Sequence, residues 1–233
     1  MKYTNIKTGK FIDRPNRFIA TVEVDGSIEK AHVKNTGRCR ELLTPGAQVY
    51  LEDFEGRMGK RKMRYSLIKV KKGDQLVNMD SQAPNTVVKE ALLNNKLQLP
   101  AMSHLTLVKG EHKFGDSRLD FYIEDSDGRR GLIEVKGITL EIDGIAKFPD
   151  APTERGVRHI EELISARRDG YNAYIIFVIQ MKGITAMIPN DDTHKAFGDA
   201  LRNAAAKGVH ILAYDCIVTE DGLEIDCSVP VVL

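Results

Sequence analysis

One stretch decides the expected fold: Ser117-Arg118-Leu119-Asp120-Phe121-Tyr122-Ile123, a turn at Ser126-Asp127-Gly128, then Leu132-Ile133-Glu134-Val135-Lys136. Both ends alternate polar and apolar residues, which is typical of strands that bury one face. A hairpin centred on Asp127 places Asp120 directly across from Glu134, with Lys136 two residues further along the same face. The other face is then apolar and carries Leu119, Phe121, Ile123, Ile133 and Val135.

Carboxylates that face each other on neighbouring strands repel unless a cation neutralises them. Mg²⁺ or Mn²⁺ is the expected cation, because hard divalent ions take carboxylate oxygens and keep bound water for chemistry. We therefore predict that Asp120 and Glu134 are catalytic metal ligands, and that Lys136 orients the attacking water or stabilises developing charge. The pattern indicates a metal-dependent phosphodiesterase acting on nucleic acid. A solvated polar face on an edge hairpin is the alternative.

A third acid lies on a helix expected over residues 84–99, with Thr86 as its N-cap. Glu90 is off the apolar stripe of this helix, so it is a candidate third metal ligand. An exposed helix residue explains Glu90 equally well.

The first 80 residues are expected to form only strands, over residues 18–24, 28–33, 47–52, 64–71 and 75–79. Five short strands in this space favour a small barrel of the oligonucleotide-binding (OB) type. The remainder alternates strand and helix, with helices over 153–168 and 192–207 and a buried strand over 171–179. We predict an α/β chain: an OB-like five-stranded β-barrel over residues 1–83, then an α/β domain with a mixed sheet over 84–233.

One charge asymmetry stands out, since Lys plus Arg (34) and Asp plus Glu (33) almost balance over the 233 residues. The segment 57–72 contains no acid, and its predicted nucleic-acid contacts are Arg57, Lys60, Arg61, Lys62 and Arg64, with Tyr65 as a residue that stacks on a base. A polar turn is the alternative.

Further phosphate contacts are predicted elsewhere. Asn35-Thr36-Gly37-Arg38 follows a strand and offers Arg38, although an ordinary turn explains it equally well. Arg155 and His159 share a helix face, and a solvated face is again the alternative.

The location and the redox state are inferred from what the sequence lacks. No apolar run approaches the ~20 residues of a membrane span, and the first residues carry no signal-peptide pattern, so a cytoplasmic protein is expected. A hairpin at Asp221-Gly222 would place Cys216 opposite Cys227, and we expect two reduced thiols rather than a disulfide. The oligomeric state stays open, a homodimer included.

Several motifs resemble the sugar fermentation stimulation protein family. They are Asn16-Arg17-Phe18, residues 32–38 (His-Val-Lys-Asn-Thr-Gly-Arg), Glu41-Leu42-Leu43, Ser117–Phe121, Glu134-Val135-Lys136 and the long string over residues 148–156 (Phe-Pro-Asp-Ala-Pro-Thr-Glu-Arg-Gly). The resemblance runs from about residue 10 to the C-terminus.

This resemblance implies an OB-like barrel followed by a restriction-endonuclease-like domain of the PD-(D/E)xK type. The acid of that motif corresponds to Asp120, which follows Leu119 rather than a proline, and its Glu-x-Lys corresponds to Glu134 and Lys136. The family is described as DNA-binding and linked to sugar (maltose) metabolism. DNA is therefore the expected partner, with RNA as an alternative substrate. A DNA-binding regulator that does not cut is the alternative function.

Overall fold

The computed structural model describes residues 1–35 and 37–233, and the chain begins with a β-barrel. Its strands are β1 (Ile6–Asn16), β2 (Ile19–Val24), β3 (Ser27–Val33), β4 (Gln48–Asp53), β5 (Tyr65–Lys72) and β6 (Gln75–Asn78). Strand β1 lies between β2 and β4, and a parallel pairing of β3 with the first half of β5 closes the ring. The predicted five-stranded barrel is confirmed.

The membership of the barrel differs from the prediction in one strand. Strand β1 was not expected, because it contains Gly9 and Pro15 and buries only Phe11. Its alternation is therefore too weak to identify a strand. The predicted fifth strand corresponds to β6, which pairs with the second half of β5 beyond the point where β3 ends.

The second part of the chain contains three helices and nine strands in its described residues. They are α1 (Ala83–Leu93), β7 (Leu105–Phe114), β8 (Ser117–Asp125), β9 (Arg130–Ile138), β10 (Glu141–Ile142), β11 (Ile145–Phe148), α2 (Glu154–Arg168), β12 (Asn172–Ile179), β13 (Ala186–Pro189), α3 (Asp191–Ala206), β14 (His210–Val218) and β15 (Leu223–Ser228). The bounds of α1 correct the predicted N-cap, since Gln82 precedes the helix and Thr86 lies inside it.

The predicted mixed sheet forms the centre of this domain, and it has six strands in the order β15-β14-β12-β9-β8-β7. Strands β9, β12 and β14 are parallel, and β12 is almost completely buried between its neighbours. Helix α1 covers one face, where Val88 packs with Phe121 and Ile133. Helices α2 and α3 cover the other face. A small sheet, β10-β11-β13, lies beside it.

The β8–β9 hairpin has the predicted register, with Phe121 paired to Ile133 and Ile123 paired to Gly131. The alternation of faces fails at the start of β8. Phe121 packs on the α1 side, whereas Leu119 belongs to the cluster on the α2 side. The described pairing with β9 ends at Phe121, and from Leu119 back to Ser117 β8 pairs with β7.

The barrel and the α/β domain share one buried apolar cluster, so they pack as a single body. The backbone amide of Asn78 donates to the carbonyl of Gln180, and Lys72 pairs with Glu141 at 2.5 Å. Asp150 also lies at this junction. Thr153 caps α2 by accepting a bond from the amide of Gly156. The carboxylate of Asp150 accepts a bond from the backbone amide of Arg38 at 2.8 Å.

The cysteines are all free, with Cys39 and Cys216 buried and Cys227 exposed. The predicted register of the last hairpin is wrong, because Cys216 pairs with Ile225 and the turn spans residues 219–222. The reduced state agrees with the prediction. The helices of the described chain are all too short or too polar to span a bilayer.

Candidate metal-dependent active site

Glu134 is the centre of the candidate site. Strand β9 is buried on both faces, and only 3% of the surface of Glu134 is exposed. Its Oε1 atom lies 2.5 Å from Nζ of Lys136 and 2.5 Å from Nδ1 of His159. Its Oε2 atom is buried and has no hydrogen-bond partner within residues 1–35 and 37–233. One oxygen is therefore fixed, and the other is available.

His159 on α2 holds Glu134 in place, and the contacts of its ring define one tautomer. The Nε of Arg155 donates to Nε2 of His159 at 3.2 Å, so Nε2 is an acceptor. The ring proton then sits on Nδ1 and is donated to Glu134. Our prediction that His159 contacts phosphate is wrong for this structure, because the residue is buried and both ring nitrogens are occupied. Its spacing identified the helix face and not what the side chain binds.

Asp120 lies on β8, the strand next to β9 in the same sheet. Its Oδ1 accepts a bond from Nδ2 of Asn85 on α1 at 2.7 Å, and its Oδ2 accepts the backbone amide of Val135 at 2.7 Å. The side chain of Asp120 thus bonds to β9 just beyond the point where the described β8–β9 pairing ends. The two carboxylates thus have different supports, since Asn85 of α1 contacts Asp120 and His159 of α2 contacts Glu134.

The two carboxyl groups have opposite pKa shifts. Burial raises the pKa of Asp120, and the negative charge of Glu134 raises it further against the bonds from Val135 and Asn85. Burial would also raise the pKa of Glu134, but the bond from His159 and the charge of Lys136 outweigh burial and lower it. Glu134 is therefore the member of the pair that is more stable as an anion. Asp120 is the carboxyl whose pKa a nearby positive charge would lower most.

The donor set fits a hard divalent cation. Carboxylate oxygens are the ligands that Mg²⁺, Mn²⁺ and Ca²⁺ prefer, and the available Oε2 of Glu134 is a buried acceptor without a donor. An unpartnered buried carboxylate oxygen is costly, so a cation there would remove an unfavourable feature.

Glu90 is not brought to this pair. Its carboxylate lies 2.6 Å from the N-terminal ammonium of Met1, on the side of α1 that faces β15. Another acidic group, Asp215 with Asp226, is bridged by the amine of Lys182, which already supplies the positive charge. Neither feature adds a ligand to the site of Asp120 and Glu134.

The basic segment 57–72 is largely occupied by contacts inside the barrel. Tyr65 is buried, so our prediction that it stacks on a base is wrong. Arg64 binds both oxygens of Asp53 at 2.7 Å, and this hydrogen-bonded pair lowers the pKa of Asp53. Arg61 stacks on the ring of Phe54 at 3.6 Å.

Three other members of the segment either support the barrel or remain exposed to solvent. Arg57 donates to the carbonyl of Asp53 at 2.9 Å. Lys60 and Lys62 are exposed on the loop between β4 and β5. Outside the segment, Arg38 and Arg155 have exposed side chains, whereas Thr36 of the predicted Asn35–Arg38 contact lies outside the described residues.

Asn85 is the site residue that the sequence did not indicate. It occupies the first turn of α1, and nothing in a single Asn distinguishes a ligand-positioning amide from an ordinary helix-start residue. Its role follows from the packing of α1 over the β8–β9 hairpin, which is a contact between segments 35 residues apart.

Comparison with known proteins places this chain in a family. A model described as the sugar fermentation stimulation protein RE domain matches residues 82–222, and one described as the SfsA N-terminal OB domain matches residues 12–79. A sugar fermentation stimulation protein homolog of Clostridium beijerinckii is 54% identical over 233 residues, covering 100% of both chains. A homolog of Ruminiclostridium cellulolyticum is 55% identical over 231 residues, covering 99% of each.

A solved structure has the same architecture along the whole chain. The structure of Pyrococcus furiosus SfsA in complex with Ca²⁺ superposes with a TM-score of 0.88 at 28% identity, covering 100% of this chain and 98% of that one. Both predicted parts, the OB barrel and the restriction-endonuclease-like domain, thus have matching relatives. This chain belongs to the sugar fermentation stimulation protein family.

Proposed function

We propose that this chain binds DNA and hydrolyses phosphodiester bonds in nucleic acid with Mg²⁺ or Mn²⁺. One observation carries the proposal: Glu134 has one oxygen fixed by Lys136 and His159 and a second, buried oxygen with no partner in the described chain. Asp120 adds a second carboxylate whose pKa is raised beside it. Two largely buried carboxyl groups beside each other contribute little to the stability of the fold by themselves, and a bound cation would neutralise their charges.

The relatives support a cation of this type. The Pyrococcus furiosus relative is described in complex with Ca²⁺. Ca²⁺ and Mg²⁺ both bind oxygen ligands. Ca²⁺ is the larger ion and accepts more varied coordination geometries. A site that holds Ca²⁺ through carboxylates is therefore compatible with Mg²⁺ or Mn²⁺ as the catalytic ion.

The proposed reaction is attack of water on a phosphodiester, giving a phosphomonoester and an alcohol. Asp120 and Glu134 would hold the cation, which supplies charge neutralisation and lowers the pKa of bound water. The amine of Lys136, fixed by Glu134, positions the water or stabilises negative charge on the phosphoryl oxygens. His159 keeps Glu134 from rotating, and Asn85 does the same for Asp120.

In this proposal, the exposed cationic side chains bind the sugar-phosphate backbone of the nucleic acid. Lys60, Lys62, Arg38 and Arg155 would contact phosphates, which position the strand without reading its sequence. The proposed location is the cytoplasm, together with DNA.

A cleavage screen tests the proposal. We expect cleavage of at least one form of nucleic acid among single-stranded, double-stranded and branched DNA and RNA, with Mg²⁺ or Mn²⁺. Asp120→Ala and Lys136→Ala should each abolish cleavage, and Asp120→Ala should leave DNA affinity largely intact. Asp127→Ala, at the turn of the same hairpin, is the matched control and should cut normally.

The alternative function gives a different result. A regulator that binds DNA without cutting would show salt-dependent binding that a chelator leaves unchanged, and no cleavage with either metal. That combination would refute the catalytic proposal and keep DNA as the partner.

A further inference from the structure

The motif Asn16-Arg17-Phe18 has no part in the site described above, although it contains an exposed aromatic ring. About 49% of the surface of Phe18 is accessible, and it is the aromatic residue among the exposed large hydrophobic side chains of the described chain. The guanidinium of Arg17 lies 5.4 Å from the centre of its ring. An exposed ring beside an exposed cation is a common arrangement for binding bases and phosphates together.

The backbone presents this ring rigidly. The amide of Phe18 donates to Oδ1 of Asn16 at 2.9 Å, and its carbonyl accepts the amide of Val33 at 2.8 Å. The exposure of the side chain is therefore not a result of a loose turn, because both backbone groups of Phe18 are bonded.

Arg14 fixes a second cation near the ring. Its guanidinium donates to the carbonyls of Arg17 at 2.8 Å, Asn35 at 2.6 Å and Gly37 at 2.9 Å, so it joins the β1–β2 turn to the loop after β3. Arg38 follows directly, with an exposed side chain. We define Arg17, Phe18 and Arg38 as the platform.

The platform lies at the end of the barrel that also carries the exposed lysines. Ile19, next to Phe18, pairs with His32, and His32 pairs with Ser66 at the start of β5. Ser66 accepts a bond from Arg61 in the β4–β5 loop, which holds Lys60 and Lys62. In OB barrels, the loops that follow strands 1 and 4 flank the surface that binds oligonucleotides.

The platform is bonded to the domain that carries the candidate active site. The amide of Arg38 donates to Asp150, four residues before α2 begins. In the first turns of α2, Arg155 bonds to His159, and His159 bonds to Glu134. A strand on the platform would therefore be held beside the domain that carries the carboxylates.

We propose that the platform binds an unpaired nucleotide, whose base stacks on Phe18 while its phosphates contact Arg17 and Arg38. This inference rests on the proposed function, because it needs nucleic acid as the partner. It adds a specificity: a base in a duplex has no free face for the ring, so the barrel should prefer single strands or single-strand junctions.

A new tryptophan can report the contact, since the chain contains none. In Phe18→Trp, the emission should be quenched when a 15-nucleotide single strand of DNA is added with chelator present. Ile28→Trp is the matched control, because Ile28 is 73% exposed on the same barrel and outside the platform. Its emission should change little.

Affinity measured by anisotropy of a labelled strand gives the second readout. Phe18→Ala should weaken single-strand binding about five- to a hundredfold, the range found for loss of one stacked base, and Phe18→Tyr should keep it within about twofold. Duplex binding should change little in either variant. Circular dichroism checks that each variant is folded.

The outcomes separate the two proposals. Equal single-strand affinity of Phe18→Ala and the unchanged protein, or binding to Phe18→Trp without quenching, would overturn the platform and leave the proposed function standing. If the unchanged protein binds no DNA or RNA of any form, the proposed function fails and the platform fails with it.

Discussion

The Nδ1 atom of His159 lies 2.5 Å from Oε1 of Glu134, and both groups are buried. This hydrogen bond links α2 to the centre of the sheet and decides which oxygen of Glu134 remains available. His159 is therefore a positioning residue, and its effect should appear in cation binding before it appears in fold stability.

Removing His159 should weaken cation binding. We expect His159→Ala to lower the affinity for Ca²⁺ or Mn²⁺ about ten- to a hundredfold, the usual cost of losing a group that orients a ligand. Isothermal titration calorimetry measures this directly. His159→Gln, which keeps a donor, should restore part of the affinity, and His194→Ala, next to the exposed Glu154, should bind like the unchanged protein. Equal affinities in all four proteins would contradict the role of His159.

The raised pKa of Asp120 predicts pH-dependent cation binding. Burial and the charge of Glu134 make the protonated form of Asp120 persist above the usual range, and a proton competes with the cation. Affinity should therefore rise with pH through the raised pKa and fall below it. Asn85→Ala removes a bond that lowers this pKa, so the rise should move to higher pH. Calorimetry at several pH values tests the shift, and an unchanged profile would count against it.

The exposed and the paired cations of the barrel should behave differently. Lys60→Gln with Lys62→Gln should weaken DNA binding and reduce the slope of log affinity against log salt by about 0.7–0.9 for each phosphate that the protein no longer neutralises. Arg64→Gln should instead lower the melting temperature, because Asp53 would be left buried without its partner. Anisotropy titrations and thermal melts distinguish the two classes. A normal melt with a reduced salt slope in Arg64→Gln would reverse our assignment.

Lys69 should make stability depend on alkaline pH. Its amine is buried, donates to the carbonyl of Glu220 at 2.8 Å and lies 4.5 Å from the centre of the Tyr3 ring. Burial lowers its pKa from 10.5 to about 8. Between these values the unfolded chain binds more protons than the folded chain, so the contribution of Lys69 to stability rises with pH. Below the folded pKa, the cost of burying the charge is complete.

Urea unfolding tests this at about pH 7 and about pH 9.5. The free energy of unfolding of the unchanged protein, minus that of Lys69→Met, should increase between the two values. Lys71→Met, exposed on the same strand, should give a constant difference. A constant difference for Lys69→Met would exclude the proposed shift.

The sequence predicted those features that depend on local patterns. The hairpin register followed from alternation around Asp127, and the buried strand β12 followed from its continuous apolar run. The pairing of β1 did not follow, because only Phe11 of that strand is buried. Here the long-range pairing with β2 and β4 determines the strand, and its own composition does not.

The candidate site was predictable in its acids and not in their supports. Asp120 and Glu134 carried a recognisable spacing, whereas Asn85 and His159 act through tertiary contacts that no spacing encodes. The basic segment misled for a similar reason. Whether Arg64 faces solvent or Asp53 depends on how β4 and β5 pair, and Tyr65 is buried for the same reason.

The junction at Arg38 and Asp150 bears on where a bound substrate would be cut. Since the barrel and the α/β domain share a buried cluster and this bond, they cannot slide past each other without opening the core. In the proposed function, the protein would therefore fix the distance between a base stacked on Phe18 and a phosphate bound at Glu134. Products should then end at a constant number of nucleotides from the single-strand boundary, whatever the sequence between them.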